Sequence, residues 1–298
     1  VIVPMFHGQS WGLFFAATMM GAKIIFPGRY VAEDTSPLVD LMIEENVTLS
    51  AGSPAIFLPM LQYIRTLDKK PDLSRARFLS GATEPPISLM KGFKELTGAE
   101  IIHAYGATET TPLVAVNYHI NPTLADKLTE DEKWDLRRKQ GLMAPGIDFK
   151  LCDPETGEEV PKDGKSVGEI CVRGPWITGA YHNNPGSENN FRDGYWKSGD
   201  AGVIDEYGYV KVVDRIKDVI KSGGEWISSI DMENILMGHP DVVEATVVGI
   251  PHEKWQERPL ALVVTKNNKT VSREEFEDLL LGHFSKWQLP DQILFVDE

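Results

Sequence analysis

Two glycine-containing stretches carry side chains that could bind a nucleotide and a metal ion. They have the sequences SGATEPP (80–86) and AYGATET (104–110). Tyr105 could stack on a purine face, and a threonine hydroxyl after it could donate to a phosphate. Glu109 would repel that phosphate unless a divalent cation lay between them, and Mg²⁺ takes one or two carboxylates together with phosphate oxygens and water. An alternative remains open, in which this is a threonine-rich turn whose hydroxyls bond the local backbone.

A third polar stretch could bind a sugar. Asp200 stands in the glycine-containing sequence SGDAG (198–202), which predicts a turn, and its carboxylate could accept both hydroxyls of a ribose. Arg215, at the end of a predicted strand, could add a charged donor to the same sugar. The alternative is a β-hairpin turn at 205–209 followed by solvated charges.

Further along, two lysines and a glycine pair could approach a ligand. Lys217 and Lys221 are four residues apart, and Gly223 with Gly224 gives a backbone with no side chain in the way of a ligand. Each of these features alone is also typical of a structural turn.

The first 140 residues alternate predicted helices and strands, which favours a largely parallel sheet with helices on its faces. The predicted helices are 11–20, 37–45, 55–67 and 87–97, and the predicted strands are 22–26, 47–50, 76–80 and 100–104. Both motif stretches follow predicted strands, and ligands of open α/β sheets bind beyond the carboxyl ends of strands.

The remaining chain has two different patterns. Short predicted strands with turn residues between them, at 149–152, 168–173, 202–204 and 209–213, are typical of an antiparallel barrel or sandwich. After these come predicted helices at 230–237 and 272–284 and strands at 242–250 and 260–265, with Ser272 and Glu275 spaced as a capping box. We therefore expect a large domain over 1–214 (α/β over 1–140, β-barrel-like over 141–214) and a small α+β domain over 215–298, with the boundary near 214–217.

The composition excludes several classes of function. A formal net charge of −14 argues against a nucleic-acid surface, which needs clustered Lys and Arg. The two cysteines are too few for a disulfide framework, so we expect a reducing compartment, the cytoplasm. The sequence has no apolar run of about 18 residues that would predict a membrane span. It also lacks a Walker-type loop, an HExxH motif and paired CxxC motifs.

Taken together and in order, the motifs resemble the acyl-adenylate-forming (AMP-binding) superfamily, and within it the medium- and long-chain fatty acyl-CoA ligases. The resemblance covers essentially the whole chain and rests on VPMFHGQSW (3–11), SGATEPP, YGATET, GYWKSGDAG (194–202), VVDRIKDVIKSGGEWIS (212–228) and HPDVVEATVVGIP (239–251). YGATET together with SGD and DRIKD is highly specific. The charged segment 124–141 is similar to one in fatty acyl ligases. Thr83 and Glu84 depart from the family pattern, because small neutral residues are usual there, so the pocket shape and chain length stay open.

The resemblance implies a role for each matching residue. It implies a nucleotide site in which Thr108 contacts the α-phosphate and Glu109 holds Mg²⁺, both as catalytic residues. Gly81, Ala82 and Tyr105 are implied to line the adenine site, and Asp200 and Arg215 to hold the ribose. Thr83 and Gly106 are implied as further cofactor-binding residues. We interpret Thr110 and Thr111 as helix-capping hydroxyls.

The resemblance also implies a domain movement and an acyl pocket. Lys217 matches the hinge about which the small domain turns between two half-reactions, and Lys221 with Gly223 and Gly224 would approach the channel of the thiol in the second conformation. His7 and Trp11 match the acyl pocket, although Trp11 could equally be a core aromatic at the start of a helix.

The implied reaction is activation of a fatty acid by ATP and Mg²⁺ to acyl-AMP, followed by transfer to coenzyme A, giving acyl-CoA, AMP and pyrophosphate. The partners would be the acid, ATP and coenzyme A, with a homodimer as a further possibility. The alternatives are adenylation of another acid (an aryl acid, or loading of a carrier protein) and nucleotide binding without turnover. The chain opens with strand-like VIVP, so we expect a piece of a longer protein. The family's phosphate loop would lie upstream of Val1 and its catalytic lysine beyond Glu298, and the chain alone would be poorly active.

Overall fold

Helices and strands occupy most of the chain in the computed structural model, which describes residues 1–31, 34–223, 225–266, 269 and 271–296. The helices in these residues are α1 (Gly8–Met19), α2 (Ser36–Glu44), α3 (Pro54–Thr66), α4 (Ile87–Thr97), α5 (Pro122–Ala125), α6 (Glu130–Arg138), α7 (Ser229–Met237) and α8 (Arg273–Leu281). The strands are β1 (Leu49–Gly52), β2 (Arg77–Ser80), β3 (Glu100–Gly106), β4 (Leu113–Val116), β5 (Leu142–Met143), β6 (Asp148–Cys152), β7 (Gly168–Arg173), β8 (Phe191–Arg192), β9 (Tyr195–Ile204), β10 (Val210–Arg215), β11 (Ile220–Ser222), β12 (Glu225–Ile227), β13 (Val242–His252), β14 (Gln256–Thr265) and β15 (Gln292–Phe295).

The chain divides into two compact units. The first comprises Val1–Phe149, Val172–Trp196 and Ile204–Lys211, and the second comprises Lys150–Cys171, Lys197–Val203 and Val212–Glu298. The predicted domain boundary near 214–217 stays a prediction. None of the described helices is both long enough and apolar enough to cross a membrane.

The first sheet confirms the predicted α/β class. Its strand order is β1-β2-β3-β4-β5, and β1, β2 and β3 run parallel because α3 and α4 connect them as crossovers. β4 and β5 are antiparallel additions. Under this sheet the rings of Phe57, Phe78 and Phe93 are fully buried, with centroids 5.7 to 6.3 Å apart. This core fixes the strands whose ends carry both motif stretches.

One predicted strand of this region is wrong. Residues 22–26 form no strand, although they are apolar and β-branched enough to favour one. A strand exists only by pairing, and in the described residues β1 is the edge of its sheet, paired with β2 alone. The segment is instead held by single bonds such as that from the Val1 amino group to the Ile25 carbonyl, 2.9 Å long.

The middle of the chain forms an open sheet, so the predicted barrel is wrong. The strand order is β10-β9-β7-β6, with β8 paired to β9. Barrel closure requires hydrogen bonding all the way round, and in the described residues the outer strands β6 and β10 are not paired with each other. The predicted strand 202–204 is also longer than expected, because β9 begins at Tyr195.

The third sheet, within the second unit, confirms the α+β pattern expected after residue 215. Its order is β12-β11-β14-β13, with β15 parallel to β14. Apolar residues of α7, α8 and this sheet, among them Met232, Phe276 and Val263, form one buried cluster. The capping box is confirmed: the Ser272 hydroxyl accepts from the Glu275 N–H at 3.1 Å, and the Glu275 carboxylate accepts from the Ser272 N–H at 3.3 Å.

Candidate functional site

The two motif stretches lie side by side at one edge of the first sheet. β2 and β3 are parallel and in register, with Ser80 opposite His103, so their carboxyl ends meet at the same edge. The Gly81 N–H donates to the Gly52 carbonyl at 3.0 Å, which ties the turn 81–86 to β1 as well. Ala82 adopts a left-handed φ of +74° in this turn. This confirms the prediction that the turn of SGATEPP follows a strand. AYGATET differs, because β3 is longer than predicted and includes Tyr105 and Gly106.

The backbone folds tightly at Gly106. A Cβ atom there would lie 1.7 Å from the Pro112 carbonyl oxygen, so no side chain fits. The chain then makes a 3₁₀ turn over Thr108–Thr110, in which Thr108 is exposed and Glu109 half-buried. Thr110 is buried, and its hydroxyl accepts from the Ala107 N–H at 2.8 Å, which confirms the local capping interpretation. For Thr111 that interpretation is wrong, because its hydroxyl donates to the carbonyl of Trp176 at 2.8 Å.

Two residues that the sequence did not single out as site residues form a hydrogen-bonded chain to Glu109. The Tyr181 hydroxyl donates to the Glu109 carboxylate at 3.0 Å, and the Trp196 indole N–H donates to the Tyr181 oxygen at 2.9 Å. Burial raises the pKa of Tyr181; the adjacent Glu109 carboxylate raises this pKa further, and the Trp196 N–H opposes the rise. Nothing in the stretch GAYH (179–182) marks its tyrosine as a partner of Glu109, which lies 72 residues away along the chain.

The carboxylate of Glu109 fits the role of a protein ligand to a hydrated magnesium ion. Tyr181 bonds one carboxylate oxygen, Oε1, and Glu109 stands beside the exposed Thr108 in the 3₁₀ turn. Mg²⁺ is typically held by one or two carboxylates, with substrate phosphate and water completing an octahedron. Glu109 could be that carboxylate.

One of the two departures from the family pattern, Glu84, forms an ion pair. The Glu84 carboxylate of SGATEPP accepts from the Arg138 guanidinium at 2.6 Å, and the Glu84 side chain is only 6% exposed. Arg138 is the last residue of α6, in the charged segment 124–141. The acidic residue in the turn is therefore neutralised by an arginine of the charged segment 124–141.

In the second unit, Asp200 and Arg215 come together as predicted, but Asp200 does not lie in a turn. It lies inside β9, with its side chain 10% exposed and an oxygen 3.0 Å from the Arg215 guanidinium. The neighbouring Gly199 has a φ of +73°. Its N–H donates to Glu169 at 3.2 Å and its carbonyl accepts from Ile216 at 2.8 Å. Partners on both sides hold this glycine as part of a strand.

The lysines and glycines after Arg215 also lie in the second unit. Lys217 has a side chain that is 79% exposed, with its ammonium 3.9 Å from Asp218. The Lys221 ammonium lies 5.6 Å from the centroid of the Trp226 ring. Gly223 has a φ of +62°, and a Cβ atom there would lie 2.9 Å from the Trp255 ring. Gly224 lies outside the described residues.

The predicted acyl-pocket residues lie at the start of α1. The His7 Nδ1 atom accepts from the Gln9 N–H at 3.2 Å and caps this helix, and the Trp11 ring lies 6.2 Å from that of Phe15. Gln9 reaches the motif edge, since its side-chain amide donates to the Gly52 carbonyl at 3.2 Å. An acyl-binding role for His7 and Trp11 stays a prediction.

Comparison with known protein families gives two matches. Residues 1–182 match the family described as AMP-binding enzyme, and residues 231–298 match the AMP-binding enzyme C-terminal domain. Together they confirm the resemblance drawn from the motifs.

Curated relatives agree with these matches. A long-chain-fatty-acid–CoA ligase of Thermus thermophilus is 46% identical over 100% of this chain and 54% of its own length. A medium-chain-fatty-acid–CoA ligase of Ectopseudomonas oleovorans is 37% identical over 100% of this chain and 53% of its own length. The chain thus spans about half the length of these relatives.

Solved structures share the fold. An ATP-bound MatB from Rhodopseudomonas palustris has a TM-score of 0.80 and 27% identity, over 99% of this chain and 55% of its own. The o-succinylbenzoate CoA synthetase of Bacillus subtilis, in complex with its acyl-adenylate intermediate, has a TM-score of 0.82 and 25% identity, over 100% of this chain and 57% of its own.

Proposed function

This chain belongs to the AMP-binding enzyme family, and on that premise we propose that the full-length protein activates a fatty acid with ATP and transfers the acyl group to coenzyme A. The products are acyl-CoA, AMP and pyrophosphate. The fatty acid is favoured over an aryl acid or a carrier protein because the relative at 46% identity is a long-chain-fatty-acid–CoA ligase. The acid, ATP and coenzyme A are its proposed partners, and a homodimer stays a prediction.

The observation that supports this function best is the pairing of two motif turns at one sheet edge. Tyr105 lies near the end of β3, Glu109 lies in the 3₁₀ turn after it, and the turn 81–86 follows the neighbouring strand β2. The carboxyl ends of parallel strands are where open α/β sheets bind nucleotides. An aromatic face, backbone amides and a carboxylate are therefore available within one short edge.

The chemistry requires two anions to meet. A carboxylate attacks the α-phosphate of ATP, forming a new C–O–P bond while the bond to the departing pyrophosphate breaks. Mg²⁺ at Glu109 would supply neutralising charge there. The Thr108 hydroxyl donates to the α-phosphate, and Tyr105 stacks on the adenine. The turn residues Gly81, Ala82 and Thr83, with Gly106 at the end of β3, let the ring approach the backbone. These residues act by positioning and electrostatics.

The second half-reaction needs different groups around the acyl carbonyl. In this proposal a large domain over 1–214 is followed along the chain by a small domain over 215–298. The small domain turns about Lys217, and Lys221 and Gly223 then approach the thiol. Rotation about a few residues at the end of an element is an established switching mode. His7 and Trp11 line the acyl pocket.

A cytoplasmic location is supported by the thiols of Cys152 and Cys171, which are buried and not in a disulfide.

Replacing Asp200 with alanine tests the nucleotide site without turnover. Asp200 is proposed to accept the ribose hydroxyls, and hydrogen bonds to a charged group contribute about 1.5–3 kcal/mol each. We expect the Kd for AMP of the full-length protein, measured by calorimetry, to rise at least about tenfold.

The matched control is Asp241→Ala, because Asp241 is also an acid of the second unit that is paired with a cation, Lys269, at 2.8 Å. This variant should bind AMP normally. Equal AMP affinity in wild type and Asp200→Ala would remove Asp200 from the site, and no AMP binding by the wild type would contradict the proposed function.

A further inference from the structure

A relay of two hydrogen bonds reaches the carboxylate of Glu109. Trp196 is 5% exposed, and its indole N–H donates to the Tyr181 oxygen at 2.9 Å. Tyr181 in turn donates to the Glu109 carboxylate oxygen Oε1 at 3.0 Å. All three residues lie in the first unit.

The direction of each proton in this relay is fixed by chemistry. An indole N–H is a donor only, so the Tyr181 oxygen must be the acceptor of the bond from Trp196. The single phenolic proton is then directed to Glu109, whose ionised carboxylate is an acceptor only. Hydrogen bonds in series polarise one another, which strengthens the bond to the carboxylate.

The segment that carries Tyr181 is hydrogen-bonded to residues 109–113. The Thr178 N–H donates to the Glu109 carbonyl at 2.8 Å, and the Thr111 hydroxyl donates to the Trp176 carbonyl at 2.8 Å. The Trp176 indole N–H donates to the Leu113 carbonyl at 3.1 Å. These three bonds fix residues 176–178 against 109–113, so that Tyr181 approaches Glu109 from a defined direction.

We propose that Tyr181 is a positioning residue for Glu109, and that Trp196 orients Tyr181. By holding Oε1, the tyrosine restrains the carboxylate, whose other oxygen would be available to a metal ion bound with the nucleotide phosphates. This inference rests on the proposed function, since it assigns the outer support of the same metal ligand. Groups that support metal-binding carboxylates in this way typically change metal affinity by about 10–100-fold when removed.

The test measures binding rather than turnover. The Kd of the full-length protein for a non-hydrolysable ATP analogue is determined by calorimetry in EDTA and in excess Mg²⁺, and the ratio of the two values is the metal-dependent gain in affinity. We expect Tyr181→Phe, which removes only the hydroxyl, to reduce this gain by about tenfold while the Kd in EDTA stays unchanged. Trp196→Phe should reduce the gain less, because it acts one bond further away.

A second tyrosine provides the matched control. Tyr195 precedes Trp196, and its hydroxyl also donates to a carboxylate, that of Asp148 at 2.8 Å. Tyr195→Phe should therefore leave the metal-dependent gain unchanged. A double-mutant cycle completes the design: in a Glu109→Gln background, Tyr181→Phe should have no further effect, because the positioned group is already altered.

The possible outcomes distinguish failure of the positioning role of Tyr181 from failure of the proposed function. A gain lost in Glu109→Gln but retained in Tyr181→Phe would overturn the positioning role and keep the proposed function. An increased gain in Tyr181→Phe would also overturn it, since the tyrosine would then compete with the metal. A Kd raised equally in EDTA and in Mg²⁺ would show a merely structural tyrosine. If Glu109→Gln itself leaves the gain unchanged, the metal role of Glu109 in the proposed function fails first.

Discussion

Glu109→Ala in the full-length protein should lower fatty-acid-dependent exchange between ATP and pyrophosphate by roughly two to three orders of magnitude, the cost typical of losing one preorganised electrostatic group. Exchange measures the first half-reaction alone, in which the acid attacks the α-phosphate. Without the carboxylate that would hold Mg²⁺, the negative charges of both reactants are left uncompensated. Glu109 is half-buried in the 3₁₀ turn after β3, so another carboxylate side chain has restricted access to the position that the alanine leaves empty.

A control variant at the start of β3 distinguishes this loss of exchange from a folding defect. Glu100 begins β3 and is also paired, with its carboxylate 3.0 Å from the Arg77 guanidinium. Glu100→Ala removes an ion-paired glutamate from the same strand and should keep exchange near the wild-type rate. Exchange at a near-normal rate in Glu109→Ala would contradict the metal role of this residue.

Lys217→Pro is expected to separate the two half-reactions. Proline fixes φ near −65° and biases the preceding Ile216 away from helical torsions, so a rotation that needs these torsions to change is blocked. The hydrogen bonds of this turn are donated by the N–H groups of Ile216, Asp218 and Val219, and proline at 217 removes none of them. We expect exchange close to the wild-type rate and thioester formation reduced at least about a hundredfold, the cost of misplacing reacting groups.

The matched variant is Lys217→Ala, which deletes the exposed side chain but leaves both backbone torsions free. It should support both half-reactions, as measured by exchange and by acyl-CoA formation from ATP, acid and coenzyme A. Loss of both half-reactions in Lys217→Pro would refute the hinge role, and equal defects in the alanine and proline variants would assign the effect to the ammonium group.

Local patterns predicted the elements whose signals are local. α4 has the predicted bounds 87–97 because its apolar face has helical spacing and Gly98 ends it in the left-handed conformation. The capping box of Ser272 and Glu275 is likewise a three-residue signal. Residues 22–26 and the expected barrel failed for the opposite reason, because strand formation depends on a partner elsewhere in the chain.

The candidate site shows the same division. The types and spacing of Tyr105 and Glu109 allow a nucleotide and metal site but also fit a structural turn, and the family resemblance assigns the roles of these residues and of Thr108. Asp200 was placed in a turn because glycine precedes it, yet the bonds of Gly199 to Glu169 and Ile216 keep it in β9. Tyr181 was missed because it is 72 residues from Glu109 along the chain, and no local pattern encodes that contact.

The proposed reaction is tested most directly by its products. The full-length protein would be incubated with ATP, Mg²⁺ and coenzyme A and a series of fatty and aromatic acids, and acyl-CoA, AMP and pyrophosphate would be quantified. We expect fatty acids to be converted best, with one AMP and one pyrophosphate released for each thioester formed. Release of ADP and phosphate instead, or no thioester from any fatty acid in the series, would contradict the proposed reaction.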